Sequence, residues 1–153
     1  FAIYAGMAAE RGMLACLEYM PMMWPISIHE AAAFVADSGA ANARVLVDAM
    51  HFYRSGSTAA DLAKVDPAAI GYVQICDVPM PATNPDYGME ARDNRLPPGQ
   101  GDLPLGDLLK ALPRDVTVGL ELPMAAQAET GVGPEEWLRP AIAAARELLA
   151  ALD

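Results

Sequence analysis

The sequence predicts an α/β fold, about four βα units that make the C-terminal half of a (β/α)8 barrel. Four short apolar runs, MLACLEYM, ARVLVDAMH, IGYVQICD and VTVGLELP, are each followed by Pro, Gly or polar residues. Helix-forming stretches separate them, and a repeating βα order means a parallel sheet, either doubly wound or closed into a barrel. A complete barrel takes about 250 residues, whereas this chain has 153.

The elements follow in order. The segment AIYAGMAAERG reads as the end of a helix that began earlier, stopped by Gly12, so the chain is expected to lack the front half of the barrel. A strand over 13–20 leads through a loop with Pro21 and Pro25 to a helix near 28–38. Ser27 and Glu30 have capping-box spacing at its start, and Gly39 ends it. A strand over 43–49 is followed by a loop from His51 to Ser57. Thr58 and Asp61 then cap a short helix, 59–64. A strand over 70–76 precedes a long loop, 78–103, rich in proline and glycine. Loops of that length are commonly functional. A helix over 105–111 and a strand over 115–121 come next. Pro134 opens the last helix, 134–151, along which Trp137, Ile142, Ala145 and Leu149 keep helical spacing. Residues 1–153 are expected to form a single domain. The strands are nearly continuous apolar runs, as in parallel strands covered on both faces.

Four polar residues interrupt that pattern. Glu18, Asp48, Gln74 and Glu121 sit at or near the ends of the four runs. Strand alternation puts Leu14, Cys16 and Glu18 on one face, and likewise Leu46 with Asp48, Tyr72 with Gln74, and Gly119 with Glu121. Side chains at the C-terminal ends of barrel strands line the active-site mouth. The alternation therefore allows one oxygen-rich site to which every strand contributes.

Composition narrows the function. With 54% hydrophobic residues, the chain is globular. A formal net charge of −10 without a basic cluster argues against nucleic acid. No run approaches the roughly 20 apolar residues of a membrane span, and no signal peptide opens the sequence. A cytoplasmic protein is the default expectation. Cys16 and Cys76 lie inside strand-like runs and read as small buried hydrophobes. His29 reads as structural, and the Met20, Met22 and Met23 group as pocket wall or packing filler. Tyr19 and Trp24 could wall a pocket or pack on a helix.

The motifs LEYMP, VLVDAMHFYRSG, YVQICDVP, EARDNRLPPGQGDLPL and LELP, in this order and spacing, resemble the xylose isomerase-like TIM-barrel superfamily of sugar phosphate isomerases and epimerases. The resemblance spans nearly the whole chain. It implies a divalent metal held by Glu18, Asp48, Gln74 and Glu121. Most members carry His at the third position, in an HxxD-like motif. Here Gln74 stands there, with Asp77 three residues on, so either the amide oxygen ligates or the site is weakened. Three carboxylates and an amide oxygen suit Mn²⁺ or Mg²⁺ better than Zn²⁺. Such a metal polarises a carbonyl and stabilises an enediolate. The resemblance gives Glu18 and Glu121 the proton transfers, and the DxxH spacing makes His51 a substrate-contacting or acid/base residue. Arg95 is the candidate for a substrate carboxylate, phosphate or hydroxyl. Arg92 is a second candidate, and Arg54 a weaker third.

The first expectation is a metal-dependent isomerase or epimerase acting on a small sugar or polyhydroxy carbonyl compound. Gln74, Arg92, Arg95 and Pro98-Gly99-Gln100-Gly101 also match a branch similar to the 3-dehydroshikimate dehydratases, which would make the protein a lyase. The stretch Glu90-Ala91-Arg92 departs from that branch. A non-catalytic half-barrel is the third reading. Half a barrel exposes two strand edges, which favours homo-oligomers.

Overall fold

The computed structural model describes residues 1–152. Its elements are α1 (Ala2–Ala9), β1 (Ala15–Glu18), α2 (Ile28–Asp37), β2 (Ala43–Asp48), α3 (Ala49–Arg54), α4 (Ala59–Leu62), a 3₁₀ turn (Pro67–Ala69) and β3 (Ile70–Ile75). These are followed by α5 (Tyr87–Asp93), α6 (Leu105–Ala111), β4 (Val118–Leu120), α7 (Ala125–Glu129) and α8 (Pro134–Ala150).

The four strands are parallel, in the spatial order β1-β2-β3-β4. A doubly wound sheet reverses its strand order at a switch point. This sheet never does: each crossover returns the chain to the next position, as in a barrel wound in one sense. The fold is therefore TIM-barrel-like, with four of the eight strands of a complete barrel.

Burial along the strands alternates. Val45, Val47, Val73 and Ile75 are fully buried and pack in one core with Ile28, Ala31 and Val35 of α2 and with Leu105, Leu108 and Leu109 of α6. Glu18, Leu46, Tyr72 and Gln74, on the opposite face, are only partly covered. The expectation of strands covered on both faces thus holds for the helix side alone, because four strands enclose only one side of a barrel interior. Gly119 belongs to this second face, where a Cβ would collide with the Tyr72 hydroxyl lying across the neighbouring strand.

Local signals set most of the helix starts. The Ser27 hydroxyl accepts from the Glu30 amide, while the Glu30 carboxylate accepts from the Ile26 amide, one residue beyond the reciprocal partner of a capping box. Thr58 and Asp61 form the complete box on α4. Two helices, α3 and α5, lie where the sequence reading placed loops, and a third, α7, where it assigned no element. Asp48 caps α3 by accepting from the His51 amide at 2.9 Å, so the expected loop after β2 opens as helix. Asp86 caps α5 inside the long loop, and α7 follows Pro123. Aspartate before a helical stretch is the signal that would have revealed the first two. No helix among the described residues is long and apolar enough to cross a membrane.

Candidate metal centre

The parallel register carries the four strand-end residues to one place. Asp48 pairs with Gln74, Gln74 with Gly119, and Glu18 with Leu46, two residues before Asp48 on the same face. Ligand oxygens of Glu18, Asp48 and Glu121 all lie within 4.8 Å of one another. The Gln74 amide completes the group. As placed, its oxygen faces Glu121 Oε2 and Glu18 Oε1 at 3.3 Å, oxygen against oxygen; with the amide reversed, its NH₂ donates to both. The first orientation is the one a cation at the centre would favour, and the second satisfies the amide without one. The donor set, three carboxylate oxygens and an amide oxygen, fits a hard divalent cation.

The carboxylates differ in surroundings. The Asp48 side chain is completely buried, whereas those of Glu18 and Glu121 are 33% and 34% exposed. Burial raises the Glu18 carboxyl above the usual range, the neighbouring Asp48 charge adds to this, and Arg95 opposes it. Glu121 is pushed up to about 7, first by burial, with Arg95 pulling it down and Asp48 and Glu18 pushing it up.

Beside the cluster lies His51, fixed by its place in the first turn of α3. Its Nε2 is 3.5 Å from Glu18 Oε1, and its Nδ1 shares a 2.5 Å hydrogen bond with the Tyr87 hydroxyl from α5. Burial lowers its basicity, Asp48 opposes this and Arg95 adds to it, which favours a neutral imidazole. Cys76 is buried against the cluster, its thiol pushed up to about 12 by burial, and it accepts from Arg95 Nη1 at 3.4 Å. That matches the reading of Cys76 as a buried hydrophobe, and Cys16 is partly buried.

Arg95 reaches the cluster by a longer route. The chain leaves β3 through Asp77, and Asp77 and Leu96 exchange two backbone hydrogen bonds at 2.8 Å. This bridge brings Arg95 alongside the end of β3. The Asp77 carboxylate anchors the turn by accepting from the amides of Val78, Gly99 and Leu103 at 2.9–3.0 Å. Gly101 is needed in this turn because a Cβ there would lie 2.5 Å from Asp77 Oδ1 and 2.6 Å from the Val78 carbonyl oxygen. The helix of the same segment is tied down by a buried ion pair, Arg54 to Glu90 at 2.7 Å. Arg95, only 3% exposed, places Nη1 2.5 Å from Asp48 Oδ2 and 3.0 Å from Glu121 Oε2, while its Nε donates to the Ala91 carbonyl.

The structure therefore brings together Glu18, Asp48, Gln74, Glu121, His51 and Arg95. It does not bring in Arg92, which is exposed on α5 and paired with the adjacent Asp93. Arg54 also stays outside, engaged with Glu90. Trp24 packs edge-on against Phe34 of α2 instead of walling the cluster. Tyr87, Glu90 and the anchoring role of Asp77 escaped the sequence reading. Only Asp86, as the cap of α5, could have indicated that Tyr87 and Glu90 sit on a helix.

Residues 2–148 match the model of the xylose isomerase-like TIM barrel. The chain belongs to this family. No curated protein matches it. Among solved structures, IolI with a bound zinc atom superposes with a TM-score of 0.83 at 21% identity, over 99% of this chain and 54% of IolI. D-psicose 3-epimerase, solved in the presence of D-fructose, gives 0.69 at 18%, over 97% and 53%. The probable 3-DHS dehydratase AsbF of Bacillus anthracis gives 0.66 at 14%, over 84% and 50%. The chain spans about half the length of these structures. An epimerase and a probable dehydratase are thus among the structures whose fold this chain shares.

Proposed function

We propose that the protein is a divalent-metal-dependent isomerase or epimerase of small sugars or keto-sugars, acting by proton transfer next to a carbonyl. The observation that carries this reading is the division of labour among the carboxylates. Asp48 is buried and accepts from Arg95 and the His51 amide, while Glu18 and Glu121 reach the cluster from the two outer strands and keep a third of their surface open. Carboxylates on either side of a bound substrate can take a proton from one face of a carbon and return one to the other. That inverts the centre, and no further reactant is consumed.

Glu18, Asp48, Gln74 and Glu121 would hold the metal, which supplies Lewis acidity toward a substrate carbonyl. The hard donor set favours Mn²⁺ or Mg²⁺, although the IolI relative was solved with zinc. Glu18 and Glu121, which reach the opening from opposite ends of the sheet, would exchange the substrate proton. Neutral His51, oriented by Tyr87, presents Nε2 to the same opening as a hydrogen-bonding partner for a substrate hydroxyl. Arg95, held on Asp48 and Glu121, would reach a second substrate oxygen only once freed from them, and Arg92 would require α5 to move before it could take part.

The test is proton exchange. With Mn²⁺ and a keto-sugar such as D-fructose in D₂O, the carbon next to the carbonyl should gain deuterium, and Glu121→Gln should reduce this by about a hundredfold or more. Undiminished exchange in that variant, or none across a panel of keto-sugars, would overturn the reading. Gln74 and the PGQG turn favour a second one, a lyase like the 3-dehydroshikimate dehydratases, with His51 as base. Formation of protocatechuate from 3-dehydroshikimate would decide for it.

A further inference from the structure

The cluster has a cation of its own. Arg95 Nη1 sits between Asp48 Oδ2 at 2.5 Å and Glu121 Oε2 at 3.0 Å. Both residues belong to the donor set assigned to the metal. Three carboxylates gathered within 4.8 Å repel one another, and the guanidinium is the positive charge that offsets them. It is well placed to do so. Its Nε is held by the Ala91 carbonyl at 2.9 Å, and the backbone bridge between Asp77 and Leu96 fixes the adjoining residue.

A divalent cation that takes oxygens from both Asp48 and Glu121 needs the space that Nη1 fills. Two positive charges cannot share it, since their repulsion at such separations amounts to several kcal/mol even in a moderately polar interior. We propose that Arg95 is a built-in counter-ion that a metal displaces, so that metal loading and the placement of the Arg95 segment are one equilibrium. This rests on the metal reading above. Held on its Asp48 partner, Arg95 keeps the empty cluster from flying apart. As placed, its Nη2 lies 3.5 Å from His51 Nε2; released from Asp48, the guanidinium would have N–H groups free for a substrate oxygen. The substrate-contacting role expected from the sequence would then depend on the metal being in place. A counter-ion also weakens metal binding, because its displacement is subtracted from every cation bound.

The test is a Mn²⁺ titration of the intact protein, followed by the electron paramagnetic resonance signal of free Mn²⁺, on wild type, Arg95→Met and Arg95→Lys. Arg95→Met should bind Mn²⁺ about tenfold tighter or more, whereas Arg95→Lys, which keeps the charge, should stay near wild type. Without metal Arg95→Met should melt below wild type, and saturating Mn²⁺ should close the gap. If Arg95→Met does not fold in the absence of metal, Arg95→Gln carries the same expectations. A purely packing role would lower the melting temperature and leave affinity unchanged. Wild type binding Mn²⁺ with Arg95→Met binding no tighter, or Arg95→Lys tightening as much as Arg95→Met, overturns the counter-ion and leaves the metal site standing. Absence of binding in wild type and variants alike overturns the metal reading and this inference with it.

Discussion

Asp48 and Arg95 meet at 2.5 Å, but they arrive from two regions built on different principles. Asp48, like Glu18, Gln74 and Glu121, comes up on a strand or at its very end. Its height is set by hydrogen-bonded register and its direction by pleat, and the same apolar core that holds β2 and β3 holds it. Arg95 comes from the 77–103 segment, which adds to the core contacts of Val78 and Leu103 a set of polar anchors: three amides on Asp77, two backbone bonds at Leu96, and the Arg54–Glu90 pair. A strand-borne group is positioned by many weak contacts, whereas a loop-borne one is positioned by few strong contacts. The second arrangement is easier to disturb at a single residue, and easier to move, as an exchange between Arg95 and a metal requires.

The largest effect should come from cutting the buried pair. Arg54→Ala leaves Glu90, 1% exposed, as an uncompensated charge. It should cost about 3–5 kcal/mol in urea unfolding and make the 77–103 segment sensitive to protease before β2 and β3 lose hydrogen-exchange protection. If strands and segment lose protection together, the two regions are one cooperative unit and the contrast fails. Asp77→Ala is next. It strips the acceptor from three amides and should cost about 2–3 kcal/mol, with a loss of Arg95 contacts visible as weaker protection around Leu96.

The smallest effect concerns the strand-borne side. Glu121 in the folded protein holds its proton up to about 7, whereas the ordinary carboxyl value is 4.5. Between those values the folded state binds more protons than the unfolded one, so stability without metal falls as pH rises through that window. Compared at each pH, wild type should lose ground to Glu121→Gln from pH 5 to pH 7.5, read as the difference between their urea midpoints. A constant difference would mean that Glu121 titrates as an exposed carboxyl and that the cluster is looser than its register implies.

The same contrast governs what could be read in advance. The strands were legible because parallel β-structure writes itself into short apolar runs, and the polar residues at their ends stood out against that pattern. The α6 span of Leu105–Ala111 and the capped starts of α2 and α4 were legible for the same reason, a local signal with a local cause. The helix α3 was missed because Asp48 was read only as a site residue, although it both caps the helix and joins the cluster. The helix α5 was missed because proline and glycine around it hid seven helical residues. Arg95 was ranked ahead of Arg92, three residues away, and the structure separates them fully: Arg95 is buried on Asp48 and Arg92 is exposed on Asp93.

By itself the sequence determined the βα order and the face of each strand, and it singled out the four polar residues at the strand ends, because alternation follows from backbone geometry over a few residues. Tertiary structure alone decided the pairing of Tyr87 with His51, the burial of Arg54 against Glu90, and the meeting of Arg95 with Asp48 and Glu121. Each of these depends on where a long connection folds back. That is set by contacts between residues tens of positions apart, which no local pattern in the chain records.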